Sequence, residues 1–401
     1  GVGLFAKNGG NLYVYDGNLQ TTGASAVDLE TTNLSAQFTT VSSSGGNVGM
    51  RFKGTTGTFV VTGDGTENSG GTIQGADRGI VIEESTGISL QDMLVYNNRV
   101  GIDADDAGTL LFNRFNINNS TDDAIQATNT TNLTVANSVI WNDSTAGSSS
   151  VVLDYDQVGN YLLTFSGNSI TSQHKDVLTI LGNPGSEGST LGMTISNNLL
   201  QTDRNGDSGI EMTWRGGTTG SITSNTFQGD DGSNVGVSLN SMSTTQNLNL
   251  GISQNRFTYA GGNDAAVRLQ AAGTSQLNFS QNQVDLHGAN SQGFVLDLMT
   301  TNTAFSGNAI NGYHDVTHGI LFNTISAPSQ VSFNGNGMSF ASVNTLIHEG
   351  ITFGTVNNVT ATEKISLSGS QNNTITGASN NFIAPAGSTT GQFLLNNVFG
   401  P

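Results

Sequence analysis

The residues best suited to chemistry in this chain lie in a few short runs. Asp203-Arg204-Asn205-Gly206-Asp207 sets oxygen-bearing side chains at alternate positions and is followed by Glu211. That pattern opens a calcium-binding loop, so Asp203, Asn205, Asp207 and Glu211 are the candidate metal ligands. The twelfth position of such a loop needs a bidentate acid, and here it is Trp214. His314 and His318 stand four apart, a spacing that would pair them on a helix, but HDVTH reads as turn and strand and shows no third ligand. Glu83, Asp103 and Asp105 are predicted to fall on neighbouring segments, with Arg99 and Arg114 close in sequence. A metal held by such acids raises the acidity of a substrate proton that an arginine then takes; the simpler reading is a solvated acidic edge. Trp214, Tyr259 and Tyr313 are the candidate glycan contacts, because an aromatic ring can stack on a sugar. No phosphate-binding loop, nucleophile elbow or dinucleotide fingerprint appears, and the glycines are spread through turns.

What positions these residues is a repeat. The runs FSGNSI, ISNNLL, ITSNTF, ISQNRF, FSQNQV, FSGNAI and FNGNGM place asparagines at 168, 198, 225, 255, 282, 308 and 336, in steps of 30, 27, 30, 27, 26 and 28 residues. A near-constant step means one structural unit stacked on itself. A second phase lies between the asparagines, marked by Ile80, Ile102, Ile125, Val152, Leu178, Ile210, Val237, Val267, Phe294 and Ile320. After each marker apolar and polar residues alternate, which is a strand with one buried face. No segment carries helical periodicity over three turns. Two or three short strands per coil of about 27 residues predict an all-β solenoid, a right-handed parallel β-helix of about 12 to 15 coils. Asn168, Asn198, Asn225, Asn255, Asn282, Asn308 and Asn336 are then structural. Each is expected to turn inward, adopt the left-handed conformation and bond its amide to the next coil, forming a ladder.

Composition fits a thin column better than a globule. Hydrophobic residues make up only 35% of the 401 residues while glycines number 53, yet each coil needs to bury only a narrow strip against its neighbours. The formal net charge of −18 argues against nucleic acid as a partner. It suits salt- or calcium-rich surroundings and also serves plain solubility. The absence of cysteine removes disulfides, thiolate chemistry and cysteine-ligated metals. No stretch is long and apolar enough to span a bilayer as a helix, so membrane insertion by this segment is not expected. Residues 1–401 read as one β-helix domain, less regular over 1–70, regular over 71–345 and less regular again over 346–401. The start at Gly1 and the repeat interrupted at FLLNNVFGP are expected of a piece of a longer chain.

The run GGTIQGADRGIVIEESTGISLQDMLVYNN, residues 70–98, resembles the repeats of large bacterial surface and secreted proteins with pectate-lyase-type right-handed β-helices. Autotransporter passengers and β-helical adhesins belong to that group. The resemblance extends loosely over residues 20 to 400 and implies fold more than function, since this fold serves adhesins, lyases, glycosidases and phage tailspikes. Asp122-Asp123-Ala124-Ile125 is similar to the paired-aspartate strand of polygalacturonases, and Thr317-His318-Gly319-Ile320 to their Gly-His-Gly strand. In that family the two motifs sit on adjacent coils. Here seven coils separate them, roughly 34 Å at the strand spacing, beyond the ~10 Å within which carboxylate pairs cleave glycosides. The expectation is therefore an extracellular or cell-surface adhesin or stalk segment without catalysis of its own. It binds a polysaccharide or matrix component, with calcium as the one cofactor to consider and self-association left open. A polysaccharide-active lyase or tailspike-like depolymerase is the alternative, and a structural sheath or surface-layer subunit is a third.

Overall fold

The computed structural model describes residues 1–142, 148–203, 206–230, 232–313, 318–340, 349–357, 365–369, 372–378, 380–383 and 393–396. The chain divides into two compact units, Gly1–Ser189 and Thr190–Pro401. Among the described residues the regular structure of both is β, apart from one 3-10 turn at Pro184–Ser186. Each unit is a parallel β-solenoid. A coil contributes two strands to one sheet, merged into one long strand in places such as Ala265–Ser280, and a third strand to another; among the described residues seven such third strands occur in each unit.

Strand register follows the sequence markers. In the first unit Ile80, Ile102, Ile125, Val151 and Leu178 are successive partners. Val152, the marker expected from sequence, is displaced by one: it pairs with Gln126 on the outer face. A one-residue slip reverses the face a strand side chain takes, and the Val-Val pair at 151–152 hides which of the two is buried. In the second unit Ile210, Val237, Val267, Phe294, Ile320 and Ile351 stack in line. Alternation buries every second residue, as in Ser208–Trp214 and Val235–Ser241. Like side chains then meet one strand spacing apart. Phe227 stacks flat on Phe257 with centroids 4.7 Å apart, and Phe305 lies flat between Phe279 and Phe333 at 4.8 and 5.4 Å. Beyond the roughly 1.5–3 kcal/mol that burying each ring contributes, such pairs add about 0.5–1.5 kcal/mol.

The asparagine ladder occupies the turn between the second and third strands. In the second unit Asn225 donates both its N–H and its Nδ2 to Asn255 Oδ1, at 2.9 and 3.0 Å. Asn198 gives the same pair of bonds to Asn225, Asn255 to Asn282, Asn282 to Asn308, and Asn308 to Asn336. The other Nδ2 hydrogen goes back to a carbonyl of the preceding coil, as from Asn255 to Ile222 at 2.8 Å. Each interior amide thus uses both donors and takes two bonds on its oxygen, the full satisfaction a buried amide requires. Asn373 extends the ladder beyond Asn336; its step of 37 residues breaks the sequence spacing and conceals it. In the first unit Ser138 stands in for asparagine, donating its N–H to Asn168 Oδ1 at 2.9 Å.

One detail departs from the expected geometry. The left-handed residue is the one before each ladder asparagine: Asn197, Ser224, Gln254, Gln281, Gly307 and Gly335 have φ of 56, 58, 57, 55, 62 and 63°. The ladder asparagines themselves keep negative φ. Reversing the chain at the preceding residue aims the asparagine inward, where its N–H and side chain can both face the next coil.

Candidate functional site

The outward side chains of the second unit form a groove on strands Ser208–Trp214, Val235–Ser241, Ala265–Ser280, Gln292–Ser306 and His318–Ser326. Glu211, Ser238, Arg268 and Val295 are register partners and make one row. Thr213, Asn240, Gln270 and Asp297 make the next. A hollow of about 310 Å³ lies between these rows, and a second of about 370 Å³ continues from it, sharing Gln270 and Asp297. The second is floored by Ala271, Ala272 and Met299, and Met299 is 41% exposed.

Local irregularity shapes this groove. Leu296 pairs with Phe322 but Asp297 pairs with Thr324, so Asn323 is an extra residue, a β-bulge. The bulge lets Asn323 Nδ2 donate to Asp297 Oδ1 at 2.8 Å, fixing the carboxylate at the groove wall. Glu211 Oε2 accepts from Ser208 Oγ at 3.1 Å. Arg268 is exposed, and its Nη2 donates to the Asn263 carbonyl at 3.2 Å, which anchors the guanidinium at the turn before its strand. Carboxylate, guanidinium and amide groups thus stand on four neighbouring strands and offer directed bonds to a polar ligand, with an apolar floor beside them. The two carboxylates do not form a hydrolytic pair. Glu211 and Asp297 belong to strands three steps apart, about 14 Å at the strand spacing, against the ~10 Å limit for glycoside cleavage.

Alternation after the markers Ile210, Val267 and Phe294 puts Glu211, Arg268, Gln270 and Asp297 on the outer face. The bulge at Asn323 and the methionine on the floor were not legible in the sequence, because a bulge changes pairing without changing composition.

Other expected sites come out differently. Asp203 Oδ1 accepts from Gln201 Nε2 at 3.1 Å, Asp207 is buried in its turn, and Glu211 faces the outer groove. These three acids do not converge, and among the described residues no group of three His, Asp or Glu side chains gathers for a metal. Asn205 lies outside the described residues. Two of the three expected glycan contacts are corrected. Trp214 and Tyr259 are core residues at 0 and 1% exposure, because alternation places them on the inward face; Trp214 Nε1 donates to the Gly217 carbonyl at 3.1 Å. Tyr313 is at the surface, lying flat on His287 with centroids 4.3 Å apart.

His314 and Thr317 lie outside the described residues. His318 Nδ1 stands 2.9 Å from Glu349 Oε2, and burial pulls its pKa down against the pull of that carboxylate. In the first unit two of the three acids of the expected patch, Glu83 and Asp103, are paired with cations, and other acids nearby are paired as well. Glu83 meets Lys53 at 3.2 Å, Asp103 meets Arg78 at 2.9 Å, Arg99 bridges Asp77 and Asp122, and Arg114 holds Asp92 through two bonds of 2.5 and 2.7 Å. Asp105 is raised by burial and then by neighbouring acids. Asp123 is nearly buried, and burial, followed by the charge of Asp122, pushes its carboxyl up to about 7.

Fold and groove together define a class, the parallel β-solenoid with a polar outer cleft. No protein-family model matches the chain, and no curated protein is similar to it.

Proposed function

We propose that this chain is a non-catalytic glycan-binding segment of the bacterial adhesin or stalk type, displayed outside the cell, and that the groove of its second unit is the binding surface. The observation that carries this reading is the row Glu211–Ser238–Arg268 beside Asn240–Gln270–Asp297, above an apolar floor. Sugars present hydroxyls on one edge and C–H groups on a face. Carboxylates, amides and a guanidinium accept and donate to the first, and Met299 covers the second. The net charge of −18 favours a neutral chain over a polyanion.

A glycan array followed by calorimetry tests the reading. The expected result is saturable binding of a neutral oligosaccharide that Arg268→Ala weakens, with no new reducing or unsaturated ends after prolonged incubation. Release of such ends would move the protein to the lyases or depolymerases; binding indifferent to Arg268→Ala would remove the groove from consideration.

A further inference from the structure

The first unit carries a second surface that the groove does not use. The outer face of its third strands is polar along most of its length, but two large apolar side chains stand out on Val139–Asn142: Val139 at 51% and Trp141 at 39% exposure. Exposed single residues of this kind are ordinary; their surroundings here are not. Register places Trp141 beside Asn118, and Asn118 beside Tyr96. Tyr96 and Trp141 are therefore two strands apart, about 10 Å, with an amide between them. Val139 pairs with Asn116, and Asn116 with Leu94, in the adjacent row.

A cleft of about 220 Å³ opens next to these rows, lined in part by Glu67, Arg114, Asn116, Asn137 and Val139. Its polar groups are ordered. Asn118 Nδ2 donates to Asn116 Oδ1 at 3.0 Å, and Asn116 Nδ2 donates to Glu67 Oε1 at 3.2 Å. Asn137 Nδ2 donates to Asn113 Oδ1 at 3.0 Å. Arg114 lines the cleft but is neutralised by Asp92, which is wholly buried and accepts from Nε and Nη2 at 2.5 and 2.7 Å.

The geometry points to a second carbohydrate site on this face, taking a neutral oligosaccharide whose one ring lies on the Trp141 indole while the next enters the cleft. An indole presents a large apolar face with negative charge density, which suits the C–H face of a pyranose. The Asn118–Asn116–Glu67 chain supplies acceptors and donors beside it. An anionic sugar is disfavoured, because Glu67 stands at the cleft and Asp92 already takes the charge of Arg114. The inference shares the ligand class of the groove reading and none of its residues, so each can fail alone.

Tryptophan emission of the full chain tests it. Trp141 and Trp214 are the only tryptophans, and Trp214 is buried, so a surface ligand reports through Trp141. The probes are cellohexaose, xylohexaose, mannohexaose and chitohexaose, with hexagalacturonate as the anionic control. At least one neutral probe is expected to shift the emission and protect it from acrylamide. Trp141→Ala then lowers affinity for that probe, read by calorimetry, at least tenfold; Trp141→Phe, which keeps a ring and the fold, lowers it less than fivefold; Arg268→Ala leaves the emission titration unchanged. Silence with all four neutral probes, tighter binding of the galacturonate, or wild-type affinity in Trp141→Ala overturns the site. So does a change of sedimentation in Trp141→Ala, which would assign the face to contact between copies. Emission that stays silent while Arg268→Ala alters calorimetric binding removes this site and leaves the groove standing.

Discussion

Asn225 Nδ2 lies 3.0 Å from Asn255 Oδ1, across a sequence separation of 30 residues. That bond is one rung of a chain of amides in which each member completes the one below it. Asn255 is 1% exposed and its side chain makes four bonds: it accepts twice from Asn225 and gives its Nδ2 hydrogens to Asn282 and to the Ile222 carbonyl.

Asn255→Ala therefore strands donors and acceptors on the two flanking coils at once: the Asn225 N–H and Nδ2 and the Ile222 carbonyl on one side, and Asn282 Oδ1 on the other. Each buried group left unpaired costs about 1–3 kcal/mol, so the variant is expected to lose about 3–5 kcal/mol in denaturant unfolding. A solenoid unfolds in neighbouring blocks. Hydrogen exchange in Asn255→Ala should accordingly rise first at the turns of Asn225 and Asn282. A loss below 1 kcal/mol, or exchange that rises evenly along the chain, would contradict the ladder as the principal tie of this turn.

At Gly335, the residue before the Asn336 rung, backbone conformation and not space sets what the position accepts. Gly335 has φ of +63°, and a Cβ added there would meet nothing within 4 Å. Gly335→Asn should be close to neutral, since asparagine tolerates the left-handed region, whereas Gly335→Val should cost about 1–2 kcal/mol. Equal stability of the two variants would show that the turn relaxes out of this conformation.

Much of the fold was legible because it repeats. Ladder asparagines 168 to 336 and most strand markers sit on one period, and periodicity converts spacing directly into contact. Asn373 escaped because its coil is longer, and Val151 because its neighbour is equally apolar. The sites were harder to read for a physical reason. Trp214 and Tyr259 look like sugar contacts by type, but a strand alternates faces at every residue, and burial depends on a parity that type does not reveal. Trp141 differs from Trp214 only in that parity. The Asp203–Asp207–Glu211 run looked like a loop because its spacing was read as local. Glu211 in fact belongs to the following strand and points with Ser238 and Arg268.

In the groove, Asp297 is expected to be the residue most sensitive to substitution. Its orientation is fixed from outside by Asn323, at 2.8 Å. Asp297→Ala should weaken glycan binding about tenfold, equivalent to about 1.4 kcal/mol. Asn323→Ala should weaken it by a smaller factor, since the carboxylate survives but loses its support. Calorimetry on the two variants and their double decides the point: additive effects would mean that Asn323 does not act through Asp297.

Two buried carboxyls predict how stability responds to pH. Asp264 is 0% exposed; its Oδ1 accepts the Asn234 N–H at 2.8 Å, and among the described residues its buried Oδ2 has no hydrogen-bond partner. Burial raises its carboxyl from 3.8 to about 6. Asp123, in the other unit, is raised to about 7, again by burial first. A raised carboxyl means that the folded state holds a proton the unfolded chain has already released. Stability therefore falls as pH climbs from 3.8 through the folded value, and the loss is complete above it. For Asp264, raised from 3.8 to about 6, the loss is about 3 kcal/mol. Asp264→Asn retains the Oδ1 acceptor without the charge. It should be more stable than the parent at pH 8 by about 2–3 kcal/mol and nearly equal to it at pH 4, as read by denaturant melts at the two pH values. Asp123→Asn should show the same sign, with the parent's decline continuing to about pH 7. An Asp264→Asn variant less stable than the parent at pH 8 would mean that the carboxylate is held ionised by a partner, and the direction of the argument would reverse.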